Sequence, residues 1–132
     1  MLWFFYMFYL KSKYFNRWAR EEGITDNLLW TTIREFESGL FEANLGNHLY
    51  KKRIALAGRG KSGGTRTILF YQLGKKLVFC YGFKKNQQPN LSSSEFKALN
   101  KLADLFQNIT TEEAIIKNIK CKEFIEILKM EK

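Results

Sequence analysis

Three runs suited to β-strands follow one another between Leu49 and Phe83: LYKKRIALA (49–57), TRTILFYQ (65–72) and KLVFCYGF (76–83). β-Branched and aromatic residues dominate them, and turn-forming residues bound them. The last two meet at Leu73-Gly74-Lys75, a hairpin turn. The first two are joined by a glycine-rich stretch, GRGKSGGTR, from Gly58 to Arg66. The three runs predict an antiparallel meander, and the rest of the chain must pack against it.

The flanking segments read mainly as helices. A strand is expected over 5–11, then a helix over 13–22 (KYFNRWAREE) that stops at Gly23, a residue suited to the left-handed terminator position. Thr25 or Asp26 caps a second helix through about Ser38, with Leu29, Ile33, Phe36 and Leu40 at helical spacing. EANLGNH reads as a loop. After the meander, Ser92 and Glu95 fit a capping box. The helix they open carries Phe96, Leu99, Leu102, Ala103 and Phe106 as its apolar stripe. Thr110 and Glu113 repeat the capping pattern for a shorter helix, and CKEFIEILK suits either a strand or a helix.

A chain of 132 residues has room for one domain with one modest core, spanning 1–132. Residues 110–132 read as a C-terminal addition. Residues 1–6 read as an extension ahead of Met7. The ten apolar residues before Lys11 are about half of what a spanning helix needs. They also lack the basic start and small-residue cleavage site of a signal peptide, so a buried strand is expected and no membrane partner.

Charge is distributed unevenly. Residues 43–94 contain ten basic residues and no acidic one. The remaining 12 basic and 13 acidic residues sum to −1, so the net charge of +9 belongs to the meander. A one-sign segment points to a polyanionic partner, either nucleic acid or an acidic protein.

The Lys-Ser pair among glycines suggests a phosphate-cradling nucleotide loop, but the pattern fails. Its first glycine falls at Ala55, and the loop feeds a β-rich run where a helix is required. Cys80 lies in an apolar run and reads as a buried free thiol, which fits a reducing compartment. With no CxxC and His48 standing alone, no metal site and no cofactor are expected.

Strand alternation sorts the cations. Lys51 and Arg53 share one face of the first run, while Lys52, Ile54 and Leu56 share the other. The Ile/Leu face should meet the helices, which turns Lys51 and Arg53 outward and leaves Lys52 near an edge. Arg66 begins the neighbouring strand and comes alongside; Lys84 and Lys85 end the third. Arg59 and Lys61 sit on the glycine loop above this patch. Lys75 and Lys76 read as solubilising turn and edge residues. Phe79, Tyr81 and Phe83 alternate along one face and read as core.

Taken in order, LGNHLYKKRIALAGRGKSGGTRTILFYQLGKKLVFCYGFKKNQ resembles the RelE/ParE superfamily of bacterial toxins in its HigB-like branch. The resemblance is strongest over 44–87 and extends loosely from WAREEGITDNLL to ALNKLADLF. It implies an α+β chain with a RelE-like microbial RNase fold: a small twisted antiparallel sheet on two N-terminal helices, with additional C-terminal helices. It implies a cytoplasmic bacterial toxin that enters the ribosomal A site and cleaves mRNA. It also implies a cognate antitoxin, often with a helix-turn-helix domain. A cation pair on one strand and an arginine opening the next surround the scissile phosphate in such proteins; Lys51, Arg53 and Arg66 match. Lys84 or Lys85 matches a basic residue at the end of the third strand, with Asn86 after it. Some relatives carry arginine where Asn86 stands, and a late tyrosine or histidine that moves a proton. Neither is found here.

The chemistry is legible without the resemblance. RNA cleavage by its own 2′-hydroxyl needs a base, cations for the charge on phosphorus, and an acid for the departing 5′-oxygen, but no metal. Clustered like charges ease the loss of a proton from lysine. On that footing Lys51 is expected to move a proton, and Arg53 and Arg66 to hold the non-bridging oxygens; the resemblance adds Lys85 to the catalytic set. Lys52, Arg59, Lys61, Lys84 and Asn86 are expected to contact RNA. A ParE-like toxin that blocks gyrase by binding, and an inactive basic nucleic-acid-binding protein, are the alternatives.

Overall fold

The computed structural model describes residues 7–54 and 64–129. Strand β1 (Phe8–Ser12) leads directly into helix α1 (Lys13–Glu22). The Ser12 hydroxyl accepts from the Phe15 N–H and so caps α1, and Gly23 ends it at φ 74°. Thr25 caps α2 (Asp26–Glu37) through the Leu28 N–H. Strands β2 (Ala43–Gly46), β3 (Leu49–Ile54), β4 (Thr65–Gln72) and β5 (Lys76–Lys84) follow. Helix α3 (Ser93–Gln107) opens with the expected capping box, Ser92 and Glu95 each satisfying the other's backbone N–H. Helix α4 (Glu112–Lys120) is capped by Thr111, one residue beyond the expected Thr110. The ambiguous tail forms a strand, β6 (Phe124–Glu126).

One six-stranded sheet runs in the order β2-β3-β4-β5-β1-β6. The meander β3-β4-β5 is antiparallel as expected, and β1 adds to β5 in parallel. EANLGNH, expected as a loop, contains β2. Asn47 and His48 both take positive φ and turn β2 back onto β3. That backbone is the one a two-residue hairpin needs, and Asn47 is a residue type that adopts it readily.

Two apolar layers sandwich the sheet. On one face, α1 and α2 bury Phe15, Ala19, Leu29, Ile33 and Phe36 against Ile54, Leu69, Leu77 and Phe79. On the other, α3 and α4 bury Leu99, Ala103, Phe106 and Ile115 against Ile68, Phe70, Val78 and Phe83. Burying each large apolar side chain contributes about 1.5–3 kcal/mol, so both faces matter to a chain this small.

A bulge corrects one sequence expectation. Ile68 faces Tyr81, but Leu69 faces Phe79, leaving Cys80 as the extra residue. One inserted residue reverses the alternation. Phe79 therefore packs with α1 and α2, while Tyr81 and Phe83 pack on the α3 side. All three serve the core, on two faces rather than one.

Lys76 also departs from its expected role as an exposed solubiliser, because it is fully buried. Its Nζ donates to Gln72 Oε1 at 2.9 Å, Phe106 O at 2.7 Å and Ile109 O at 2.6 Å. It thus ties the sheet to two carbonyls at and just past the end of α3. No helix among the described residues is long and apolar enough to cross a membrane.

Candidate nucleic-acid interface

Ladder register decides which cations meet. Arg53 stands directly opposite Arg66 across β3 and β4, and Lys51 opposite Ile68. Residues opposite one another share a face, so Lys51, Arg53 and Arg66 lie on the α3 side of the sheet. Ile54 packs toward α1 and α2, which puts that row on the side the alternation predicted.

A carboxylate lies among these cations. Glu42 Oε1 accepts from Arg66 Nε at 2.8 Å and stands 3.9 Å from Lys51 Nζ. The Glu42 backbone N–H donates to Lys51 O at 2.8 Å, which holds Glu42 beside β3. The expectation for Lys51 rested on cations alone, and Glu42 supplies the opposite charge that it omitted. Sequence reasoning passed over Glu42 although it is the last acidic residue before the 52-residue acid-free segment. Only folding shows that the segment's boundary reaches its centre.

The arginines retain unused donors. Arg66 is 7% exposed, yet among the described residues its Nη1 has no hydrogen-bond partner, and neither has Arg53 Nε. A Cβ built on Gly64 would come within 2.3 Å of Arg66 Nη1. Glycine at that position gives the guanidinium its room.

Two expected RNA contacts belong elsewhere. Lys52 lies on the opposite face, 5% exposed, and donates to Glu35 Oε1 of α2 at 2.7 Å. Strand β3 is flanked by β2 and β4, so Lys52 guards no edge. Lys84 also turns to the α1 side, where its Nζ lies 2.8 Å from Glu22 Oε1. Both corrections have one cause: a side chain one residue out of phase with a strand row points through the sheet. Lys85 and Asn86 are exposed in the turn after β5, and the Lys85 N–H donates to Gly64 O at 3.0 Å. That bond brings the end of β5 to the root of the glycine loop. Arg59 and Lys61 lie outside the described residues.

Tyr81 ties the sheet to α3 beside this region. Its hydroxyl donates to Glu95 Oε2 at 2.5 Å, and its ring stacks with Tyr14. Burial, followed by the Glu95 hydrogen bond and charge, pushes the phenol up to about 12. The same bond, with help from the Ser92 N–H, holds the Glu95 carboxyl below its usual range. Cys80 is buried as expected, and desolvation pushes its thiol up to about 12. A hollow of about 730 Å³ on this face is lined by Cys80, Leu99, Leu102, Phe106 and Phe124 among others; Lys51, Arg53 and Arg66 do not line it.

The arrangement suits a phosphodiester. Guanidinium groups clamp phosphate oxygens in pairs, an ammonium adds a point charge, and a carboxylate accepts a proton. Comparison with curated proteins finds no match. Comparison with protein families matches residues 7–127 to the RelE toxin of the RelE/RelB toxin-antitoxin system. That match spans the whole described sheet and all four helices, so the chain belongs to the RelE toxin family and is a toxin of a type II toxin-antitoxin system.

Proposed function

We propose that this toxin is a metal-independent endoribonuclease of the HigB-like branch. It cuts mRNA in the ribosomal A site of the bacterial cytoplasm and is neutralised by a cognate antitoxin, of helix-turn-helix type. The observation that carries the reading is the convergence of Lys51, Arg53 and Arg66 on one sheet face, with the Glu42 carboxylate against Lys51 and Arg66.

Each group has a part in strand scission. Glu42 takes the proton of the 2′-hydroxyl, whose oxygen then attacks phosphorus. Arg53 and Arg66 carry the charge that builds on the non-bridging oxygens, using donors that have no partner among the described residues. The bond from phosphorus to the 5′-oxygen breaks, and the Lys51 ammonium protonates the departing oxygen. Proton return from Glu42 to Lys51, 3.9 Å away, resets the pair. The products are a 2′,3′-cyclic phosphate and a 5′-hydroxyl. Lys85 adds positive charge at the end of β5, and Arg59, Lys61 and Asn86 hold flanking phosphates.

A cell-free translation reaction with mapping of 5′-hydroxyl ends tests this reading. Wild-type protein cuts translated mRNA, and Glu42→Gln and Arg66→Ala each lower the rate by about 10²-fold or more. Full cleavage by either variant overturns the assignment. Intact mRNA together with DNA-damage signalling in expressing cells would replace it with gyrase binding. An absence of both effects would leave a basic binding protein.

A further inference from the structure

Phe96 was expected to open the buried stripe of α3, and it does not. Leu99, Ala103 and Phe106 of that stripe are 7%, 1% and 6% exposed, but Phe96 is 40% exposed. Its ring borders a hollow of about 380 Å³ between β2, β3 and the segment entering α3. Leu45, Leu91 and Phe96 give that hollow apolar walls, and Asn90 and Ser93 add polar groups. Lys51 lines it too. One side chain therefore belongs both to this hollow and to the cation cluster.

We infer that this hollow is a nucleobase subsite, which receives the base next to the phosphate held by Lys51 and sets the base preference of cleavage. The inference rests on the nuclease reading for its place in the reaction. Aromatic and aliphatic walls suit the faces of a planar base, while the edge of the base needs donors and acceptors. The Asn90 side-chain amide provides one of each and has no hydrogen-bond partner among the described residues; only its backbone carbonyl is engaged, by Gln88 Nε2 at 3.1 Å. An uncommitted carboxamide can pair with a base edge at two points. The hollow is also preformed. Tyr81, Gln88 and the Ser92 N–H all donate to the Glu95 carboxylate, which fixes the entry to α3 against the sheet. Little ordering is then left for binding to impose.

The test uses the full chain and an uncleavable probe, a trinucleotide with a 2′-deoxy sugar at the cut site. On titration, NMR signals of the Phe96 ring and the Asn90 side-chain amide shift together with those of Lys51. Phe96→Ala weakens the probe by about tenfold, the scale of one lost stacking contact. In mapped mRNA cleavage, Phe96→Ala and Asn90→Ala flatten the base distribution beside the cut and raise KM, while Lys117→Ala on α4 matches wild type. Asn90 is exposed, so its variant keeps the fold even if the Phe96 variant does not. Unchanged affinity and an unchanged base distribution in Asn90→Ala and a folded Phe96→Ala protein overturn the inference. So does a probe that shifts Lys51 and Arg66 but not Phe96 or Asn90. Wild-type protein that cuts no mRNA, yet shifts Phe96 and Asn90 on titration, loses the nuclease reading and keeps the base subsite.

Discussion

Arg53 and Arg66 face each other directly across the β3–β4 ladder, and a donor nitrogen of each is buried without a partner among the described residues. Like charges opposite one another destabilise a sheet, and unpaired buried donors add to the cost. That arrangement costs the protein stability. Arg53→Gln should therefore raise the unfolding temperature by a few degrees, on the order of 0.5 kcal/mol, while lowering RNA cleavage. Inorganic sulfate should stabilise wild type more than the variant. Thermal melts with and without sulfate measure both effects, and a variant that melts below wild type contradicts the expectation.

Lys52 sits one residue from each of two cluster members and should behave unlike either. It is committed to Glu35 on α2, on the far face of the sheet. Lys52→Met removes one half of this pair and leaves Glu35 without its cation; because Glu35 is 38% exposed and stays solvated, the stability cost should be modest, about 1 kcal/mol. Cleavage should stay within about twofold of wild type, far from the loss expected for a group on the phosphate. Parallel assays of Lys52→Met and Lys51→Met decide the matter.

The buried ammonium of Lys76 predicts a pH dependence. Burial lowers it to about 8 from 10.5, with the charge of Lys75 adding a smaller push. Between those values the unfolded chain binds more protons at this site than the folded one. Stability from this group therefore rises with pH across that window and is lost as pH falls through about 8. Urea midpoints measured from pH 7 to 10.5 should show a rising component in wild type that is absent from Lys76→Met. The variant should be less stable overall by about 1–3 kcal/mol, because the Phe106 and Ile109 carbonyls lose the ammonium that ties them to the sheet.

Gly82 of β5 lies against the Trp18 ring of α1. A Cβ there would stand 2.1 Å from the Trp18 ring. Gly82→Ala should destabilise the protein by about 1–3 kcal/mol through overpacking. A second change, Trp18→Leu, should recover part of the loss by opening space. Chemical denaturation of the single and double variants tests that coupling.

Local chemistry alone determined much of this protein. Ser12, Gly23, Thr25 and the Ser92/Glu95 pair bound helices, because caps act within four residues of one another. The meander and the sorting of Lys51 and Arg53 from Lys52 were equally legible, because strand alternation is a two-residue rule. Tertiary structure decided the rest. The bulge at Cys80 turned Phe79 to the other face, and no local signal counts residues on both partners of a ladder. Lys76 became a buried tie to α3 because β5 lies inside the sheet, and strand order is a long-range choice. Glu42 reached the cations through β2, a strand visible only once paired. Charge composition shows that the positive charge gathers in one segment, and only the packed sheet selects the few charges that meet.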